Sequence, residues 1–314
     1  MPHIFQTSSL LGTDLWTCVS WTFQHYFSPA EQSTLQRATR YAHCEYDHGF
    51  LILTGRGDFM EVWRREADHI SAPLPACAPS DEQLAAKADS SARPGSPGAV
   101  GTSAGVFAPF CTLQTPRPTR ATRFVYPTLA VVTGDGRNAY LYDIPSATLT
   151  QTINIYPAES TVTEDVRYVE ISARHVFICT VVGLRIISRE SGKVICTVNP
   201  SEMPLPDMVS LTWSWLAGPE IEKFHSQRVF GVGENKMAIL TRPNPFCAVH
   251  VSPCGKHFVA VTPTGYVLLV PNFEQAISAE GDHAKLPGAG YVLKLNTGIG
   301  YMAFDGKRIV LATV

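Results

Sequence analysis

A short segment near residue 45 holds the densest group of potential metal ligands in the sequence. The run from His43 to His48 reads His-Cys-Glu-Tyr-Asp-His. Alternate side chains of a strand point to opposite faces, so the two histidines are expected to fall on opposite sides. Zinc sites are usually built from two closely spaced ligand pairs, and no second pair follows in the sequence. The segment therefore predicts polar packing in a turn, and we expect neither a metal nor a cofactor.

Three arginines form a small basic run next to two threonines. Arg117, Arg120 and Arg123 alternate with Thr119 and Thr122. Such a run suits a kinase substrate site or a contact for an acidic partner. The alternative is the solvated end of a linker, which we favour. The three arginines are kept as candidate partner-binding residues.

Two tryptophans alternate with polar residues in the run from Leu211 to Leu216. Trp213 and Trp215 lie on one face of an extended segment. One such face can present an aromatic anchor to a partner protein. The alternative, that both side chains fill space between neighbouring sheets, is favoured. Both tryptophans remain candidate partner-binding residues.

No catalytic signature is found in the sequence. The chain lacks a G-x-S-x-G motif, and the glycine turns at 55–57 and 134–136 have neither a following helix nor the Lys-Ser/Thr of a phosphate loop. His175 and His257 each precede a strand and form one repeat-related titratable pair. Placement at solvent-exposed strand ends is favoured over a channel site. We therefore predict that the protein is not an enzyme.

Composition narrows the classes of protein further. The chain has 314 residues, 45% of them hydrophobic and 17% charged, with a net charge of −2. Without a basic excess, binding to nucleic acid is not expected. No apolar run reaches the roughly 20 residues that span a bilayer, and the N-terminus lacks the pattern of a secretory signal. The eight cysteines are scattered without a pairing framework. We expect a cytoplasmic or nuclear monomer that does not bind membranes.

The elements that must position these residues recur along the chain as an apolar run, a turn and a second apolar run. The copies pair 51–54 with 59–63, 130–133 with 139–143, 176–180 with 184–187, 229–232 with 237–240 and 258–262 with 266–270, and a sixth begins at 309–313. Each run is rich in β-branched and aromatic residues, which is typical of hairpins buried on both faces. Their spacing of about 45–50 residues lies in the range of propeller blades. Such hairpins must stack around an axis to bury both faces. The sequence thus predicts an all-β fold of the β-propeller kind.

Two turns and two strand endings are similar to a known repeat. Residues 252–256 read Ser-Pro-Cys-Gly-Lys, residues 305–307 read Asp-Gly-Lys, and Tyr142-Asp143 and Trp63 end strands. The chain resembles the WD40 repeat family, whose blades often carry a Ser-Pro-Asp-Gly-Lys turn and an aromatic-Asp ending. Cys254 replaces the usual Asp, no Gly-His dipeptide occurs, and no intact Trp-Asp ends a strand, so the buried hydrogen-bond network of that family is not carried over.

The resemblance implies a single β-propeller over 1–314 with about six to seven WD40-like blades. It also implies a non-catalytic platform, such as a scaffold or adaptor, that binds other proteins or peptides. The alternatives are the substrate-recognition part of a ubiquitin ligase, a propeller enzyme with a channel site, and an incomplete gene product.

The ends and one internal stretch carry their own expectations. Residues 3–6 either supply a strand that closes the ring, or the chain is truncated. Residues 28–31 read Ser-Pro-Ala-Glu, a capping box that predicts a short helix to about Arg40. The stretch 71–118 holds eight prolines and much Ala, Ser and Gly. It is therefore predicted to be a flexible, disordered insertion.

Overall fold

Runs of β-branched and aromatic residues form the strands of this protein, which is mostly β and contains several four-stranded antiparallel sheets. The structure is a computed structural model. It describes residues 43–54, 58–66, 68, 74–92, 107–156, 164–200, 210–211, 214–216, 221–223, 227–228, 245–278, 290–295 and 297–313. The chain divides into two compact units, Met1–Ile171 and Ser172–Val314. Each unit is described by itself.

The first unit contains two four-stranded antiparallel sheets and a further strand. The first sheet has strands in chain order: β1 (Cys44–Asp47), β2 (Phe50–Thr54), β3 (Phe59–Arg65) and β4 (Phe107–Gln114). The second sheet has the same order: β5 (Thr119–Val125), β6 (Thr128–Thr133), β7 (Asn138–Asp143) and β8 (Thr148–Asn154). β9 (Val166–Ile171) follows. β1 and β5, the first strands of the two sheets, lie side by side, and β9 lies on the other side of β5.

The core of the first unit lies between its two sheets. Alternation along β2 and β3 turns one set of side chains, Phe50, Ile52, Met60 and Val62, towards the second sheet. Phe124, Leu129 and Val131 of the second sheet belong to the same buried cluster. The opposite face of the first sheet has its own apolar cluster: Leu51, Leu53, Trp63 and Phe107. Both faces of the first sheet are thus buried, as expected for a sheet without polar alternation.

A helix, α1 (Asp81–Ala92), covers this second apolar cluster. The chain enters α1 through a capping box, in which the Gln83 N–H donates to Ser80 Oγ (3.2 Å) and the Ser80 N–H donates to Gln83 Oε1 (3.1 Å). Gln83 is fully buried and also contacts the sheet: its Nε2 donates to the carbonyl of Val62 (3.1 Å), and Thr112 Oγ1 donates to its Oε1 (2.6 Å). This one amide joins the helix to β3 and β4.

The prediction of a flexible insertion over 71–118 is wrong for α1 and β4. Phe107, Phe110, Cys111 and Leu113 are buried, so β4 has enough apolar surface to pair with β3 in spite of the nearby prolines. Pro109 lies at the β-bulge between Val62 and Trp63, where the ladder of hydrogen bonds is interrupted.

The second unit is built from antiparallel strands in the same manner. β10 (His175–Thr180), β11 (Leu184–Ser188) and β12 (Val194–Val198) pair in chain order. Two short pairs follow: β13 (Ser210–Leu211) with β16 (Gln227–Arg228), and β14 (Ser214–Leu216) with β15 (Ile221–Lys223). A four-stranded sheet has β17 (Ala248–Val251), β18 (Phe258–Val261), β19 (Tyr266–Val270) and β20 (Tyr291–Lys294), with α2 (Phe273–Ser278) before β20. The last pair is β21 (Ile299–Phe304) and β22 (Ile309–Thr313).

The strand predictions are confirmed wherever the structure describes them. The hairpins at 51–63, 130–143, 176–187 and 258–270 are β2–β3, β6–β7, β10–β11 and β18–β19, and the run 309–313 is β22. The predicted copy at 229–240, the closing strand at 3–6, the helix from Ser28 and the turn at 55–57 lie outside the described residues. Of the residues that the structure describes, none belongs to a helix long and apolar enough to cross a lipid bilayer.

The buried amide of Gln83 generates a stability prediction. Replacing Gln83 with Ala removes the side-chain donor to the Val62 carbonyl and the acceptor for the Thr112 hydroxyl, which should lower the free energy of unfolding by about 2 kcal/mol. Glu82→Gln in the same turn, where the side chain is exposed, should change it by less than about 0.5 kcal/mol. Urea unfolding followed by circular dichroism measures both. Equal losses in the two variants would contradict the role given to Gln83.

Candidate functional site

Arg123 lies at the centre of a buried charged cluster in the first unit. Its Nε donates to Glu170 Oε1 (2.8 Å), and its Nη1 lies 3.3 Å from Glu45 Oε2. Arg123 lies on β5, Glu170 on β9 and Glu45 on β1, and these three strands are neighbours. Both carboxylates are buried, and the Arg123 side chain is 20% exposed. One guanidinium therefore joins three strand groups.

Further contacts hold the two carboxylates in place. Glu45 Oε1 lies 2.8 Å from Nε2 of His43, and the backbone N–H of Ile171 donates to Glu170 Oε1 (2.9 Å). Burial on its own lowers the pKa of Arg123, but the carboxylates of Glu170 and Glu45 outweigh it and raise this pKa above its usual value. Arg123 therefore stays charged across the accessible pH range, and the cluster acts as a fixed electrostatic connection.

The arginine run does not form one basic surface. Arg117 pairs with Asp135 (3.4 Å), and Arg120 pairs with Asp165 (2.9 Å). Arg120 and Arg123 lie on β5, not on a linker. The interpretation as a solvated linker end is therefore wrong for Arg123, because alternation along the strand turns its side chain inwards to Glu170. Whether Arg117 and Arg120 contact a partner stays a prediction.

The two candidate tryptophans lie in the second unit, close together in the sequence. Trp213 lies outside the described residues. Trp215 lies on β14, where its backbone pairs with that of Glu222 on β15. The roles proposed for both side chains stay predictions.

The segment His43–His48 is split between two environments. His43 contacts Glu45 in the charged cluster, whereas His48 Nδ1 lies 2.8 Å from Asp47 Oδ1 in the turn between β1 and β2. Among the residues that the structure describes, no group of three potential ligands is arranged to hold a metal ion.

The β1–β2 turn has an unusual backbone. His48 (φ 45°) and Gly49 (φ 80°) both adopt the left-handed conformation, as two-residue hairpins of type I′ require. The φ of Gly49 favours glycine, and a Cβ atom there would also force the carboxylate of Asp68 to move. Histidine is one of the few other residues that tolerate this conformation. The turn thus projects the His48 side chain in a fixed direction.

The β1–β2 turn is bonded to the β5–β6 turn of the second sheet. The backbone N–H of Tyr126 donates to Asp47 Oδ2 (2.9 Å). The His48 ring stacks on the Tyr126 ring, with 4.6 Å between centroids and 19° between planes. Tyr126 is 41% exposed and the His48 side chain 65% exposed. We call Asp47, His48 and Tyr126 the turn rim.

Buried groups support the turn rim from below. The Tyr126 ring lies 6.1 Å from the Phe50 ring at 22°. The Arg64 guanidinium carbon lies 4.5 Å from the centre of the Phe50 ring, within cation–π distance. Phe50 itself is buried. The turn rim and Arg64 together therefore offer two aromatic rings and a cation, which are groups that recognise peptide side chains.

Reasoning from the sequence did not single out Tyr126 or Arg64. The signal for Arg64 was present in β3, where Met60, Val62 and Arg64 alternate and so place a cation on a buried apolar face. Tyr126 carries no comparable signal, because its importance depends on the pairing of two turns that are 79 residues apart.

His175, in the second unit, is buried, so its predicted placement at an exposed strand end is wrong. Its ring lies 5.2 Å from Phe273 of α2, and its Nδ1 lies 3.6 Å from Glu274 Oε1, too far for a hydrogen bond. Burial lowers the pKa of His175, opposed by the charge of Glu274 and assisted by Arg174. His257 is half-buried, and its Nδ1 accepts from the backbone N–H of Asn272 (3.1 Å).

Arg123 generates the second prediction. Arg123→Met leaves two buried carboxylates without their cation and should lower the free energy of unfolding by about 3 kcal/mol. Arg120→Met on the same strand removes a pair whose arginine is 48% exposed, and should cost less than about 1 kcal/mol. Denaturant titration at constant salt measures both values. A loss for Arg123→Met no larger than that of the control would refute the structural role of the cluster.

His175 generates a pH prediction. With its pKa lowered in the folded protein, the unfolded chain binds a proton more readily once the pH falls below the ordinary histidine value of 6.5. Stability should therefore fall between pH 7.5 and 5.5, and His175→Leu should reduce this loss, as measured by urea unfolding at both values. An unchanged pH dependence in His175→Leu would disprove the assignment.

Comparisons with known proteins identify no family. No protein-family model matches the chain, and no curated protein matches it in sequence. The computationally designed Ika8 protein is similar in structure at 9% identity and a TM-score of 0.44, with 87% of this chain and 55% of that chain covered. Hsv2p of Kluyveromyces lactis is similar at 9% identity and a TM-score of 0.39, with 76% and 50% covered. The chain spans about half the length of these structures, and neither likeness carries an argument about fold or function.

Proposed function

We propose that this chain is a WD40-like β-propeller that serves as a non-catalytic platform for binding other proteins or peptides. The observation that carries the proposal is the turn rim, in which two turns from neighbouring sheets are bonded together and present exposed aromatic rings.

The repeated sheets support the propeller part of the proposal. Each four-stranded sheet is a meander in chain order, as in a propeller blade. In the first unit the first strands of successive groups are neighbours, which is the arrangement of innermost strands around an axis. The spacing of the sequence copies gives about six to seven such blades.

The rigidity of the turn rim supports the binding part of the proposal. A binding surface that is already ordered loses little conformational entropy when a partner docks. Asp47 fixes the Tyr126 backbone, the left-handed turn fixes His48, and the Phe50 ring packs against the Tyr126 ring. Exposed aromatic residues on such a support are the side chains that dominate binding energy in protein interfaces.

The charged cluster favours binding over acid–base chemistry. Glu45 and Glu170 are both held by the guanidinium of Arg123, so each carboxylate is committed to a structural contact. A general base needs a carboxylate that can reach a substrate proton.

The compartment is part of the same proposal. No disulfide joins the cysteines that the structure describes, and Cys111, Cys179 and Cys196 are buried in strands, where they pack as small apolar residues. Cysteines without disulfides suit the cytoplasm or the nucleus. We propose a monomer there that binds neither nucleic acid nor membranes.

Affinity purification with a matched pair of variants tests the function. The tagged full chain is recovered from its own cell type, and co-eluting proteins are identified by mass spectrometry. We expect one or two proteins in stoichiometric amounts, at least tenfold less of them with the His48→Ser/Tyr126→Ser double variant, and no change with Arg137→Gln. Arg137 is exposed in the β6–β7 turn, at the opposite end of the second sheet from Tyr126.

Two results would count against the platform. Equal recovery by the wild type and the double variant would remove the turn rim from any interaction. Recovery of chaperones alone by a wild-type chain would indicate that the protein does not hold a folded binding surface.

A further inference from the structure

We propose that the turn rim and Arg64 together bind an acidic peptide segment, with Arg64 holding a carboxylate and Tyr126 contacting a neighbouring aromatic or proline side chain. This inference rests on the proposed function and names the class of partner.

Arg64 lies near the end of β3, on the face of the first sheet that turns towards the second sheet. It is the cross-strand neighbour of Phe50, so its side chain shares the face that turns to the second sheet. Its guanidinium carbon lies 4.5 Å from the ring centre of Phe50 and 5.9 Å from that of Phe110. The Nε atom is buried and has no hydrogen-bond partner among the residues that the structure describes. The two aromatic rings thus fix the guanidinium group in place.

The lack of a carboxylate partner distinguishes Arg64 from the other arginines that the structure describes in this unit, apart from Arg137, which is exposed in the β6–β7 turn. Within the described ranges, no carboxylate lies within ion-pair distance of Arg64. Carboxylate partners are present for Arg65 (Asp68), Arg117 (Asp135), Arg120 (Asp165), Arg123 (Glu45 and Glu170) and Arg167 (Asp165). A half-buried guanidinium that is held in position but lacks an anion is suited to receive one from a ligand.

The aromatic part of the site lies next to this cation. The Tyr126 ring centre lies 6.1 Å and the Arg64 guanidinium carbon 4.5 Å from the centre of the Phe50 ring. The two groups are therefore at most about 11 Å apart, which is within the reach of one extended peptide. An extended peptide advances about 3.3 Å per residue, which places the two contacts on residues one to three positions apart. His48, stacked on Tyr126, extends the surface on which a planar side chain can pack.

The chemistry of these groups selects the ligand. A guanidinium makes two parallel hydrogen bonds to a carboxylate, and an aromatic ring packs well against proline or another aromatic side chain. Glutamate or aspartate close to proline, tyrosine or tryptophan therefore meets both requirements. A phosphate would also suit the guanidinium, and the experiment separates this source from a carboxylate.

The test uses the full chain and a phage-displayed library of random 12-residue peptides. We expect the selected peptides to share an acidic residue within three positions of an aromatic residue or proline. In fluorescence polarisation, Arg64→Gln should weaken binding of a selected synthetic peptide at least tenfold, and Tyr126→Ser should do the same. Glu→Gln in the peptide should match the loss from Arg64→Gln, and the control Arg137→Gln should leave affinity unchanged.

A second variant distinguishes a loss of binding from a loss of folding. Arg64→Lys keeps a cation over Phe50 but lacks the planar fork of arginine, so it should fold as the wild type does and still bind several-fold more weakly. Thermal unfolding of each variant is measured beside its affinity.

The outcomes separate this inference from the proposed function. Selected peptides without acidic residues, or binding that survives Arg64→Gln but is lost in Tyr126→Ser, would overturn the acidic class and leave the platform standing. A phosphoserine peptide that binds more than tenfold more tightly than its glutamate counterpart would assign the site to phosphopeptides instead. Rim-dependent recovery of cellular proteins with no selected peptide would also overturn the inference alone. Failure of both experiments would remove the platform as well.

Discussion

The first unit depends on one buried cation. Arg123 contacts Glu45 on β1 and Glu170 on β9 from its own position on β5, so three strand groups meet at a single guanidinium. Apolar packing between the sheets is not directional and tolerates small shifts along the strands. A guanidinium bound to two carboxylates is directional, because its donors point along fixed vectors. The cluster therefore fixes how far β1, β5 and β9 are shifted along one another, while the apolar side chains supply most of the buried area.

The turn rim depends on this alignment of β1 with β5. Glu45 and Asp47 are two residues apart on β1, and Arg123 and Tyr126 are three apart at the end of β5. Asp47 meets the Tyr126 backbone just beyond the point where Glu45 meets Arg123, so the two contacts form successive links between the same pair of strands. A shift of one residue along β1 would break both and separate the stacked rings of His48 and Tyr126. The geometry of the turn rim therefore depends on the buried charged cluster.

The sequence predicted what depends on local pattern and missed what depends on distant contacts. Hairpins such as 130–143 carry their signal in their own residues, and the structure confirms them. The helix at 81–92 was hidden in a proline-rich stretch, although Ser80 and Gln83 form a capping box there. Arg123 read as part of an exposed basic run, because its two carboxylate partners lie 78 and 47 residues away. The turn rim was missed for the same reason, because it also depends on contacts between residues that are far apart in the sequence.

Arg64 and Arg123 show how position decides what a cation does on the same scaffold. Arg123 lies within the strands, and desolvation there must be offset by two carboxylates, which leaves no charge for a ligand. Arg64 lies at the end of β3, where the guanidinium rests on Phe50 instead of an anion. An aromatic face stabilises a cation less than a carboxylate does, and it does not neutralise the charge. Arg123 therefore serves the fold, whereas the charge of Arg64 has no carboxylate partner among the residues that the structure describes.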